Sequence, residues 1–237
     1  MNCKRRRIGK LSSAIGLMLF ALVTGLPAQP PLEPQPSVLT VMADEWYPIN
    51  GQPDSDRPGF AIEMLQAIFE PKGIQLDYRL GSWSRSLEMA RNGQVDCVIG
   101  AYRSDAPYLH YPETPVAIDE MAFFVSQDSR WDFQGLESLD IVSLGIIGGY
   151  SYGERVDAYL DERRSSGRIQ AVHGARPLER NLQKLLSGRV DVLIESTLVM
   201  EAMLETLELQ TKVKLAGSLG ETEPVFLACT PTRDTTA

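Results

Sequence analysis

Asn92-Gly93-Gln94-Val95-Asp96-Cys97-Val98-Ile99 recurs 95 residues further on as Ser187-Gly188-Arg189-Val190-Asp191-Val192-Leu193-Ile194. Each copy follows an amphipathic helical pattern and opens a short apolar run of strand type. A repeat of this kind implies two similar α/β lobes, each with its own small sheet. Asp96 and Asp191 are read as structural residues that shape the turn into each strand, not as ligands.

The flanking sequence repeats the same architecture. Val38–Ala43 reads as a buried strand and Asp44–Pro58 as a polar loop. Phe60–Glu70 has helical spacing and is stopped by Pro71-Lys72-Gly73. Ile74–Leu80 alternates as a strand, Ser84–Asn92 is a short helix ended by Gly93, and Val95–Ala101 is an apolar strand. This β-α-β-α-β order predicts a parallel α/β sheet. In the second unit, strands are predicted at Ile141–Ile147, Ile169–His173 and Val190–Ile194. Helices are predicted at Ser151–Arg164, Pro177–Ser187 and Thr197–Leu209. Met121–Ser126 and Val225–Cys229 are strands placed to run between the units. The expected organisation is a leader over 1–28, a Pro-rich linker over 29–37, lobe 1 over 38–120, lobe 2 over 121–222, and a return strand with a short tail over 223–237.

Composition sets the compartment. Lys4, Arg5, Arg6, Arg7 and Lys10 precede an apolar stretch from Leu11 to Leu26, followed by Pro27-Ala28. This is the layout of a cleaved secretory signal peptide, and a 16-residue run is short for a bilayer span, which needs about 20 residues. Five of the 23 Lys and Arg lie in the first ten residues, so the rest of the chain carries 18 bases against 31 acids, a net charge of −13. So acidic a body argues against nucleic acid as a partner and against docking on anionic lipid. Cys3 belongs to the leader. Cys97 and Cys229 both lie in strand-like runs, and the expectation is two reduced, buried thiols, although export permits a bridge.

These fragments, in this order, resemble the bacterial extracellular solute-binding proteins of family 3. Gly59-Phe60-Ala61-Ile62-Glu63-Met64 is similar to that family's helix entry, with Ala61 in place of the first acid. Gly93-Gln94-Val95-Asp96 and Gly188-Arg189-Val190-Asp191 are similar to its two Gly-x-Val-Asp turns. Gly145-Ile146-Ile147-Gly148-Gly149-Tyr150-Ser151 resembles its second-lobe strand and turn. The resemblance covers about Val38 to Thr230. It implies a type II periplasmic-binding fold, two lobes of small, mostly parallel sheets flanked by helices. It also implies a monomeric periplasmic receptor that closes on a small polar solute by hinge motion and delivers it to the membrane permease of an ABC importer. No cofactor or metal is expected. The resemblance further implies a C-terminal helical segment on lobe 1, which the polar tail after Thr230 does not supply.

Ligands of open parallel sheets sit beyond the carboxyl ends of the strands. That rule selects loops 44–48, 81–85, 101–105, 148–153 and 195–197, and within them Glu45, Trp46, Tyr47, Trp83, Arg85, Tyr102, Arg103, Tyr150, Ser151, Tyr152, Glu195 and Ser196. Aromatic walls around a few polar groups suit a small solute; the alternative for Trp46 and Trp83 is a place in the lobe core. Ser151 and Glu154 have capping-box spacing, so the turn is either a carboxylate-binding helix start or a plain cap. The resemblance favours a carboxylate there. Two hallmarks of amino-acid binders are displaced. The stretch Tyr102-Arg103-Ser104-Asp105 lacks the usual arginine, and Ser196, after Glu195, stands where an aspartate holds the ligand ammonium. Arg103 or Arg85 would then supply the guanidinium, and Glu195 or Glu45 the counter-charge. Arg85 is alternatively a solvated helix residue.

Two other classes compete. An exported enzyme on the same fold, similar to cyclohexadienyl dehydratases, is one. An orphan sensor or binding module is the other. The two histidines, His110 and His173, have no triad spacing, and no metal or phosphate motif is present.

Overall fold

Residue 37 opens the first strand of the computed structural model, which describes residues 37–231. The predicted leader, most of the linker and the end of the tail lie outside the described residues. The first unit runs β1 (Ser37–Ala43), α1 (Phe60–Phe69), β2 (Ile74–Leu80), α2 (Trp83–Arg91) and β3 (Cys97–Ala101). β1 pairs in parallel with both β2 and β3. The second unit contains β4 (Ala117–Ser126), β5 (Leu144–Ile147), α3 (Glu154–Glu162), β6 (Ile169–Val172), α4 (Pro177–Leu186), β7 (Val192–Ser196) and α5 (Thr197–Thr206). β5 there pairs in parallel with β6 and β7.

The repeated octapeptide does the same work twice. Gly93 and Gly188 take φ of 66° and 68°, the left-handed backbone that ends α2 and α4. Beyond each glycine the next amide reaches back five residues, Gln94 to the Met89 carbonyl at 2.9 Å and Arg189 to that of Lys184 at 2.8 Å. The aspartates then pin the neighbouring strand. Asp96 Oδ2 accepts from the Thr40 amide (2.8 Å) and hydroxyl (2.7 Å), and Asp191 Oδ2 accepts from the Ser143 amide (2.7 Å) and hydroxyl (2.6 Å). Each aspartate amide donates in return to the same hydroxyl, at 2.9 and 3.0 Å.

The expectation of a separate small sheet in each lobe is not met: the two halves share one sheet of order β2-β1-β3-β8-β4-β7-β5-β6, because the long strand β8 (Val213–Cys229) pairs with β3 of one and β4 of the other. β8 pairs antiparallel with β4 along most of its length and with β3 at its end. It is far longer than the predicted Val225–Cys229: Lys214–Glu223 mixes Gly, Ser and charges without strand periodicity, and the ladder with β4 extends the strand through it. Its partner β4 also begins four residues before the predicted Met121. Ile141 belongs to a 3-10 turn (Leu136–Ile141) and not to β5. The largest apolar cluster runs across both units, from Val41, Ile62 and Ile99 to Leu182, Leu193 and Met200.

The cysteine expectation is corrected here. Cys97 and Cys229 are buried as predicted but form a disulfide. The β3–β8 ladder sets them directly opposite one another. Their separation of 132 residues hides this in the sequence.

Candidate functional site

The loops that leave the carboxyl ends of the strands converge on one cavity. Asp44 and Trp46 come from beyond β1, Trp83 from the start of α2, Tyr102 and Asp105 from beyond β3, and Tyr150 and Ser151 from beyond β5. Gly100 and Met121 complete the lining. The cavity is narrow, about 20 Å³. Its sides come close together: Tyr150 Oη donates to Asp44 Oδ2, and Ser104 Oγ lies 3.3 Å from Ser151 Oγ. Gly149, with φ of 92°, lets its loop pass against α2, where an added Cβ would run into Ser84 Oγ.

Two buried acids stand behind the aromatic lining. Glu195, at the end of β7, accepts from Trp46 Nε1 at 3.0 Å and from the Ser196 amide at 2.9 Å. Its other oxygen, Oε2, has no hydrogen-bond partner among the described residues. Burial pushes the Glu195 carboxyl up to about 8, against the lowering pull of Trp46. Asp119, on β4, accepts from Tyr102 Oη (2.7 Å) and Ser196 Oγ (2.5 Å), and burial raises it as well. At the cavity itself, burial lifts Asp105 to about 7 and Asp44 to about 6. The hydrogen bond from Tyr150 holds Asp44 partway down. Four carboxyls thus gather around one aromatic cleft, with the proton affinity of each enhanced by removal from water.

Of the twelve residues singled out from sequence, Trp46, Trp83, Tyr102, Tyr150 and Ser151 line the cavity, and Glu195 and Ser196 lie behind it. The other five point elsewhere. Glu45 is exposed and accepts from Gln52. The Tyr47 ring lies against Gly51. Arg85 is exposed on α2. Arg103 donates to the Pro112 carbonyl at 3.0 Å and lies over the Phe226 ring at 4.5 Å. Tyr152 is buried in the second unit's core, where its hydroxyl accepts from the Ile147 amide at 2.6 Å.

The capping expectation also changes. α3 starts at Glu154 behind Gly153, with no side-chain cap, so Ser151 does not open the helix. The Ser151 hydroxyl donates instead to Asp157 Oδ2 at 2.5 Å, and the Tyr152 amide to Asp157 Oδ1 at 2.9 Å. A side chain of the protein thus supplies the carboxylate at this turn. Asp44, Asp105, Asp119 and Met121 were missed. The first two lie in the selected loops, where their position at strand ends was the available signal. Asp119 precedes the stretch read as a strand and gave none.

An α/β sheet crossed by two long strands, with a cleft at the strand ends of both units, is the fold of solved periplasmic-binding-protein-like structures. A histidine kinase sensor domain with similarity to periplasmic binding proteins matches with a TM-score of 0.69 at 20% identity, over 83% of each chain. An ancestral arginine-binding protein bound to glutamine matches at 0.67 and 17% identity, over 83% of this chain and 85% of that one. A substrate-binding protein of an ABC uptake transporter from Streptococcus pneumoniae, with bound histidine, matches at 0.66 and 17%, over 81% and 79%. No family model matches this sequence, and no curated protein matches it.

Proposed function

We propose that this chain is an exported solute receptor that captures one small polar molecule in the cleft between its two units and presents it to an ABC-type permease. The observation that carries the reading is convergence. Loops from β1, β3 and β5 and the start of α2, drawn from both units, line a single aromatic and polar cavity. A ligand touching both sides favours the closed arrangement, which is what makes closure report occupancy. β4 and β8 are the segments that would flex. The signal-peptide layout supports a periplasmic location. Proteins of this fold include a transporter's substrate-binding protein with bound histidine and an arginine-binding protein bound to glutamine, which supports solute capture. A binder is favoured over an enzyme because the solved structures that share the fold include a transporter's substrate-binding protein and an arginine-binding protein.

The test is a thermal-shift screen of amino acids, amines and small organic acids. At ligand 100-fold above Kd, one binding site stabilises by about 2.7 kcal/mol, roughly 5–10 °C for a chain of this size. Turnover of a compound into product would replace the receptor reading with an enzymatic one.

A further inference from the structure

The carboxyls around the cleft have no basic partner among the lining residues. Asp44 and Asp105 line it, Glu195 and Asp119 stand behind it, and no Lys, Arg or His is among the lining residues. Glu195 is 0% exposed, yet one of its oxygens is left without a partner among the described residues. A buried carboxyl oxygen in that position is costly unless a polar group reaches it.

Groups that the sequence offers for a ligand carboxylate are already engaged. Asp157 already takes the Ser151 hydroxyl and the Tyr152 amide, and Arg103 is committed to Pro112 and Phe226. A cation is well served. Trp46, Trp83, Tyr102 and Tyr150 wall the cavity, and aromatic faces attract cations. The Tyr150 hydroxyl on Asp44 marks where a donor is received. No cluster of three His, Cys, Asp or Glu suited to a metal ion occurs among the described residues, so the aromatic walls suit an organic cation better than a metal ion.

We propose that the cleft binds a small organic cation without a carboxylate, an amine or guanidine whose charged donor replaces the Tyr150 hydroxyl on Asp44. The proposal rests on the receptor reading and narrows its solute.

Calorimetry on the full chain with matched pairs tests it: agmatine against arginine, cadaverine against lysine, and glutarate as a plain acid. The expected result is that at least one amine binds about tenfold or more tightly than its carboxylated partner. Asp44→Asn should then weaken that amine about tenfold, the loss of one charge-assisted contact. Asp105→Asn is the second variant, and melting curves confirm that each is folded. An amino acid binding as tightly as its amine, or glutarate alone binding, overturns the cation assignment and leaves the receptor reading standing. Amine binding that is unchanged in both folded variants overturns the placement in this cleft. Silence from every amine, amino acid and acid overturns both readings.

Discussion

Replacing Glu195 by glutamine should make the protein less sensitive to alkali. In the unfolded chain this carboxyl ionises near its ordinary 4.5, whereas in the fold, fully buried against Trp46, it keeps its proton to about 8. The stabilising contribution is therefore complete below the lower value, falls as the pH rises between the two, and is gone above the upper one. Each tenfold change in proton affinity is worth about 1.36 kcal/mol. The whole window thus amounts to about 5 kcal/mol, and the span from about pH 5 to about pH 8.5 to about 4 kcal/mol. The substituted amide would keep an acceptor for Trp46 Nε1 and the Ser196 amide but would not titrate. Any cost of the new amide group is common to both pH values. Urea unfolding followed by circular dichroism measures the effect. The Glu195→Gln protein should gain about 4 kcal/mol over the parent on going from the lower pH to the higher, roughly 8–16 °C in melting temperature. Asp44 and Asp105 push both proteins the same way, so the difference isolates Glu195. Parallel pH profiles for the two proteins would refute the assignment of a proton to Glu195.

The Cys97–Cys229 bridge closes a loop spanning 132 residues, so replacing both cysteines by serine should cost up to about 5 kcal/mol by chain entropy, read as a shift in urea midpoint; alkylation under denaturing, non-reducing conditions should label neither thiol. Asp96→Ala should cost about 1–3 kcal/mol and more than Asp191→Ala, because Asp96 bonds Thr40 as Asp191 bonds Ser143 but only Asp96 is buried. Equal losses would contradict that ranking. Gly149→Ala should destabilise by about 1–3 kcal/mol through its positive φ and its collision with Ser84, and pairing it with Ser84→Gly should recover part of the loss in a double-mutant cycle. Tyr150→Phe removes the internal donor on Asp44 and should raise amine affinity about tenfold; weaker binding would mean that the hydroxyl contacts the solute directly.

The local order of strands and helices was legible because it depends on neighbours in the chain. Apolar periodicity placed β1, α1, β2, α2, α4 and α5 to within about three residues, and the repeated Gly-x-Val-Asp marked two helix-to-strand turns that make the same bonds to a neighbouring strand. The strand-end rule also selected loops of which four meet at one cavity, since it needs only strand direction. The sequence could not show what depends on pairing across long separations. The length of β8 comes from the β4 ladder beside it, and not from its own residues. The disulfide follows from the register of β3 against β8. Which way a loop side chain turns is decided by its tertiary partner. Phe226 draws Arg103 out of the cleft, Asp157 claims Ser151, and Trp46 reaches across to Glu195. The acidity of the cleft is of the same kind. Asp44, Asp105, Asp119 and Glu195 are spread over some 150 residues of chain, and only the packing of the two units brings their carboxyls together and removes them from water.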